Sequence, residues 1–186
     1  MSLNYEVQAS DSLEVIQNGI GRVKEAFIRQ GRSSDSECLA GCIGLIYCIV
    51  ENGQSALFRY ITLLHGQRFI GEPIAGEFQD HYMVICEDQL GRCFAASPAN
   101  FNISDQKGVE AIQAENHSSL QGQIQEKIGG YWPPLYTERY TTPEIIEQNG
   151  RISLRVMVGL WDCEGSGYVV GTQPVDLFTS IKNPDR

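Results

Sequence analysis

The sequence has no apolar run approaching the roughly 18 to 20 residues that a membrane-spanning helix needs, so no span is expected. Positive charge is scarce as well: 14 Lys and Arg stand against 23 Asp and Glu, for a net charge of −9. That balance argues against nonspecific binding to nucleic acid or to an anionic membrane surface. It suits a soluble protein or one that meets a basic partner protein. The glycines between Gly165 and Gly171 come without a phosphate-loop lysine or dinucleotide-binding spacing, which sets nucleotide binding aside. Repeats and low-complexity tracts are missing, so a solenoid or a fibrous chain is not expected. Only three histidines occur, His65, His81 and His117, and any imidazole chemistry has to use one of them. The first residues, MSLNYEVQASDS, are polar and show no signal-peptide pattern, so a cytoplasmic protein is expected, with secretion by a signal-independent route left open. In that setting the six cysteines read as reduced, buried thiols rather than disulfides.

What is present is a chain of 186 residues, 42% hydrophobic and 20% charged, enough for one domain over 1–186 with a full core. It is organised around Ser33 to Gly53, SSDSECLAGCIGLIYCIVENG, which is apolar around its whole circumference. A helix hydrophobic on every side must be buried, so this is the expected central helix. Ser34 with Glu37 forms a capping-box pattern, Asp35 and Glu37 put carboxylates near the first turn, and Asn52-Gly53 supplies the stop. The expected fold class is α+β, with the buried central helix packed on a mainly antiparallel sheet.

Before that helix, apolar residues at spacings of three and four predict an amphipathic helix over 12–30, open to a break at Gly19 and Gly21; Met1 to Ser10 carry no structural weight. After it, Ser55 to Leu64 predicts a strand, and Gly66 to Glu77 a loop with a brief strand at Arg68 to Ile70. Asp80 to Phe101 predicts a hairpin turning at Asp88-Gln89-Leu90-Gly91, with Cys86 opposite Cys93 and with Ser97 to Asn100 emerging near His81. A loop over 102–106, a surface helix over 118–128 and an extended aromatic arm over 131–140 follow. Thr142-Pro143-Glu144 opens a short helix to Gln148, stopped by Asn149-Gly150, and strands are expected over 151–161 and 167–171.

Cys38 lies one turn into the central helix, where unpaired backbone N–H groups and the positive helix end favour negative sulfur, the placement of a nucleophile. His81, opening a strand behind Asp80, is the preferred base. Ser97 or Asn100, at the end of the next strand, is the candidate to orient it. The bland readings are that Cys38 and His81 are satisfied packing residues, and that Cys42, Cys48, Cys86 and Cys93 belong to the core. Cys38, Cys42 and His81 have metal-ligand chemistry, but no fourth ligand is indicated, so neither metal nor cofactor is expected.

The run ECLAGCIGLIYCIVENG followed by HYMVICEDQLGRCFAASPAN resembles the papain-like cysteine hydrolases, especially compact bacterial papain-fold toxins and bacteriocin-processing peptidases, over residues 28–101. The resemblance implies a papain-like core followed by a helical and strand extension over 102–186. It implies Cys38 as nucleophile and His81 as general base. The position usually filled by Asp or Asn falls on Ala95 to Asn100, where Ser97 and Asn100 are the polar residues; Gln30 is the candidate oxyanion-hole side chain. The implied activity is hydrolysis of a peptide or glutamine amide carbonyl. The alternative is a non-catalytic acidic binding protein, such as an immunity protein, a secretion chaperone or a degenerate hydrolase.

Overall fold

Alternation of period two runs through most of the chain after residue 57, and it builds a seven-stranded sheet. The computed structural model describes residues 3–34, 37–70, 76–99, 111–133, 142–149, 151–160, 166–171 and 175–185. Helix α1 (Leu3–Arg29) and helix α2 (Cys38–Glu51) precede a 3-10 turn at Gln54–Leu57. Strands β1 (Phe58–Ile70), β2 (Glu77–Asp88), β3 (Cys93–Ala96) and β4 (Ala111–Ala114) follow, then helix α3 (His117–Lys127). Strands β5 (Glu144–Gln148), β6 (Arg151–Leu160) and β7 (Ser166–Gly171) and helix α4 (Val175–Lys182) complete the chain. The sheet order is β4-β3-β2-β1-β6-β5, with β7 also paired to β6. Every ladder is antiparallel except β1 with β6. The fold is thus mixed α and β with a mainly antiparallel sheet.

Because successive strand side chains point to opposite faces, the sheet carries two separate cores. On one face Ile61, Leu63, Val84, Cys86, Phe94 and Ala96 pack against α1, α2 and α4, with Tyr82 at the margin. On the other, Tyr60, Leu64, Met83, Ile85, Cys93 and Ala95 pack against Leu120 and Ile124 of α3, with Trp132 at the margin. Helix α2 is buried from Ala40 through Ile49, as its uniform apolarity requires. Its Tyr47 ring stacks on Phe178 of α4 with centroids 4.3 Å apart. Among the described residues no helix is long and apolar enough to cross a membrane.

Several local expectations change. Helix α1 starts at Leu3 rather than near Ser12, and it passes Gly19 without a break. A Cβ at Gly19 would lie 2.6 Å from Leu45 Cδ1, so that glycine lets α1 and α2 approach closely. Strand β1 likewise runs through Gly66, where the sequence predicts a loop. A Cβ there would lie 2.4 Å from Trp132 Cε3 and 2.6 Å from the Tyr131 carbonyl oxygen. The missing side chain admits Tyr131 and Trp132, and Gln67 and Tyr131 exchange backbone hydrogen bonds of 2.9 and 2.7 Å. The rest of the expected aromatic arm, 134–140, lies outside the described residues.

The hairpin between β2 and β3 does close around Gln89 and Leu90, but Cys93 pairs with Glu87, and Cys86 with Phe94. The one-residue difference comes from Gly91, whose φ of +83° adds a left-handed residue to the turn. Asp88 pins that turn: its Oδ1 accepts from the N–H groups of Leu90 and Arg92, both at 3.0 Å. Its Oδ2 accepts from the Arg92 guanidinium at 2.9 and 2.5 Å. The helix expected over 143–148 is instead strand β5, paired with β6 from Glu144↔Arg155 to Gln148↔Arg151. Asn149, at φ 52°, serves a two-residue hairpin and not a helix stop. Helix α4 was not among the predicted elements.

Helix α3 starts at His117, one residue earlier than expected: the Asn116 side chain caps it by accepting from Ser119 N at 2.9 Å, and Gly129 lies past the end at φ +68°. Replacing Asn116 with Ala is expected to cost about 1 kcal/mol. For a chain of this size that is a fall of roughly 2 to 4 °C in melting temperature, read by circular dichroism.

Candidate functional site

Helix α2 begins where its sequence starts to bury apolar residues, but not with the predicted cap. Ser34 Oγ donates to Pro98 O at 3.1 Å, and the N-cap is Glu37, which makes no side-chain cap bond. The Glu37 carboxylate is turned to Arg32: Nε donates to Oε1 at 2.8 Å, and a second guanidinium nitrogen contacts Oε2. Hydrogen bonding to Arg32 holds the Glu37 carboxyl below its ordinary pKa. The Glu37 carboxylate at the mouth of the helix is therefore already neutralised by a partner. Among the described residues, then, Glu37 does not oppose the positive end of α2 as a bare carboxylate; Asp35 lies outside the described residues. Gln30 Oε1 also accepts from Arg32, at 2.9 Å, so the expected oxyanion-hole amide belongs to this arginine cluster.

Cys38, the first helical residue, is partly exposed. Cys42, one turn on, is buried, and its thiol donates to Tyr82 O at 3.3 Å and toward Ser97 Oγ at 3.6 Å. Burial pushes the Cys42 thiol well above the ordinary cysteine pKa, which leaves it an inert core group. The Cys38 sulfur is near enough that its charge would raise both Cys42 and the Tyr82 phenol, the latter raised chiefly by burial. Cys38 thus belongs to the sheet face that carries Tyr82.

That assignment corrects the expected partner of Cys38. His81 precedes Tyr82 on β2 and so points to the other face, where it is fully buried and meets the Trp132 ring edge-on at 6.0 Å. The sheet stands between Cys38 and His81. The same separation keeps Cys38, Cys42 and His81 from converging on a metal. Ser97 is not behind His81 either: besides facing Cys42, its Oγ accepts from Ala99 N at 3.2 Å and closes the turn after β3. Asn100 lies outside the described residues.

The imidazole on the Cys38 face is His65. It pairs directly with Tyr82 across β1 and β2, and the two rings stack with centroids 4.4 Å apart and planes 10° apart. His65 Nε2 lies 3.5 Å from Asp80 Oδ1, within ion-pair reach, but it is buried and makes no hydrogen bond to that oxygen. Gln67 Nε2 donates to the same Asp80 oxygen at 3.4 Å. His65 is largely covered and Asp80 largely exposed, with side-chain exposures of 17% and 63%, so the couple sits at the boundary between core and solvent. The parity of β1 and β2 carried this information: with β1 continued through Gly66, His65, Tyr82 and Asp80 share one face. The loop predicted at Gly66 concealed it.

Cys38 at the start of α2, His65 on β1 and Asp80 on β2 thus lie on one side of the sheet. No protein-family model, curated protein or solved structure matches the chain.

Proposed function

We propose that the chain is a papain-like cysteine hydrolase acting on a peptide or glutamine amide carbonyl, with Cys38 as nucleophile, His65 as base and Asp80 as the group that orients the imidazole. The observation that carries this reading is the His65–Asp80 couple, at 3.5 Å, on the face of the sheet to which the start of α2 belongs. Since Nε2 is turned to Asp80, Nδ1 is the nitrogen left to take the thiol proton. The thiolate then attacks the carbonyl carbon, and the oxyanion is held by backbone N–H groups of the first turn of α2. Collapse transfers the imidazolium proton to the leaving amine, and water, deprotonated by the same imidazole, hydrolyses the thioester.

The net charge of −9 favours a second reading, a non-catalytic binder of a basic protein. Iodoacetamide kinetics read by peptide mass spectrometry separate the two. Under the hydrolase reading Cys38 is alkylated at neutral pH faster than a free-cysteine peptide. A rate at or below that of the peptide leaves the binding reading.

A further inference from the structure

On the sheet face away from α2, three neighbouring strands each place one polar side chain in a single row. Tyr60 of β1 and Cys93 of β3 both pair directly with Glu87 of β2. His117, the first residue of α3, closes over the row. Its Nε2 lies 3.3 Å from Glu87 Oε2 and contacts the Tyr60 hydroxyl. The carboxylate oxygen of Glu87, the sulfur of Cys93 and a ring nitrogen of His117 all lie within 4.8 Å of one another. Glu87 and Cys93 are buried and His117 is partly exposed, so the group has a rigid floor and a side open to solvent.

We propose that Glu87, Cys93 and His117 form a binding site for a divalent transition cation of the zinc class, independent of Cys38 and His65. One oxygen, one sulfur and one nitrogen donor are the ligand types that select zinc or cobalt over magnesium or calcium. Donors bound to zinc at about 2.0 to 2.3 Å in a tetrahedron stand about 3.3 to 3.8 Å apart, so small side-chain rotations bring these three into place. The fourth position falls to water or to the Tyr60 hydroxyl now resting on His117.

Two features oppose the cation and set its affinity. Arg59 donates to Glu87 Oε1 at 2.8 Å, leaving Oε2 as the ligand while keeping a positive charge nearby. Burial, then the charges of Glu87 and Asp88, push the Cys93 thiol up to about 12. Coordination has to displace that proton, as metals do from thiols they bind.

The test is titration of the chelator-treated full chain with cobalt(II), followed by zinc(II). One equivalent of cobalt should produce a thiolate-to-metal charge-transfer band in the near ultraviolet, and zinc should abolish it. Cys93→Ser should remove the band. His117→Gln, at the partly exposed helix start where folding is least at risk, should weaken cobalt binding by at least about tenfold with an unchanged circular dichroism spectrum. Cys38→Ala should bind as the parent does. No band in cobalt excess, a band that survives Cys93→Ser, or a band lost in Cys38→Ala would each overturn the proposal. Only the last would implicate the residues proposed for hydrolysis.

Discussion

Replacing His65 with Ala is expected to lower Cys38-dependent amide turnover by about 10² to 10⁴, the contribution of a positioned proton-transfer group. The same variant should slow alkylation of Cys38 at neutral pH. His81→Gln should leave both rates unchanged per folded molecule, because the β-sheet separates that ring from the start of α2 and Trp132 holds it on the far face. Asp80→Asn is the informative intermediate. It keeps the shape of the side chain beside Nε2 and removes the charge, so it should shift the pH profile of alkylation more than it lowers the plateau. The measurements are peptide-resolved alkylation rates and amine or ammonia release from a panel of peptide and glutamine amides, with folding checked by circular dichroism. Loss of Cys38 reactivity in a folded His81→Gln protein, with His65→Ala reacting as the parent, would remove His65 from the mechanism.

The largest stability effect is expected at Gly66. An added methyl would meet the Tyr131 carbonyl oxygen, a backbone atom, as well as the Trp132 ring, and neither can move without opening the bridge between Gln67 and Tyr131. Gly66→Ala should therefore cost about 2 to 3 kcal/mol, at the upper end of overpacking. That is roughly 4 to 12 °C of melting temperature. Gly122 is the control: it lies exposed within α3 with nothing near its missing Cβ. Gly122→Ala should stabilise by about 0.5 to 1 kcal/mol through helix propensity alone. If the two substitutions behave alike, the close approach of Trp132 to β1 does not exist in solution.

These two positions also show which parts of the fold the sequence exposes. Helix α2 was legible because burial acts on every one of its residues, and nothing but a buried helix uses CLAGCIGLIYCIV in that way. The alternation YMVICED was legible for the same reason, since both of its faces are covered. Gly66 was not legible. The cause of its smallness is Trp132, far along the chain, and a glycine next to a histidine looks locally like a turn. Thr142-Pro143-Glu144 carries a valid helix-start signal, yet pairing of Ile145 and Ile146 with Leu154 and Ser153 outweighs it, as tertiary contacts commonly outweigh propensity. The candidate site failed on parity. Asp80 and His81 are adjacent, and one residue along a strand is the difference between the two faces of a sheet. The hairpin of β2 and β3 was found with its register displaced by one for a related reason, the extra left-handed residue at Gly91.

The single parallel ladder has a kinetic consequence. Strands β1 to β4 form by successive antiparallel pairings, three of whose strands are close in sequence, whereas Leu63 must find Val158, 95 positions away (158 − 63). Closing so long a loop is entropically slow, and it has to precede any reward from the contacts it makes. The β5–β6–β7 unit is then a late arrival during folding. Until it docks, one edge of β1 offers unsatisfied amides to any neighbouring chain, so refolding yield should fall steeply with protein concentration.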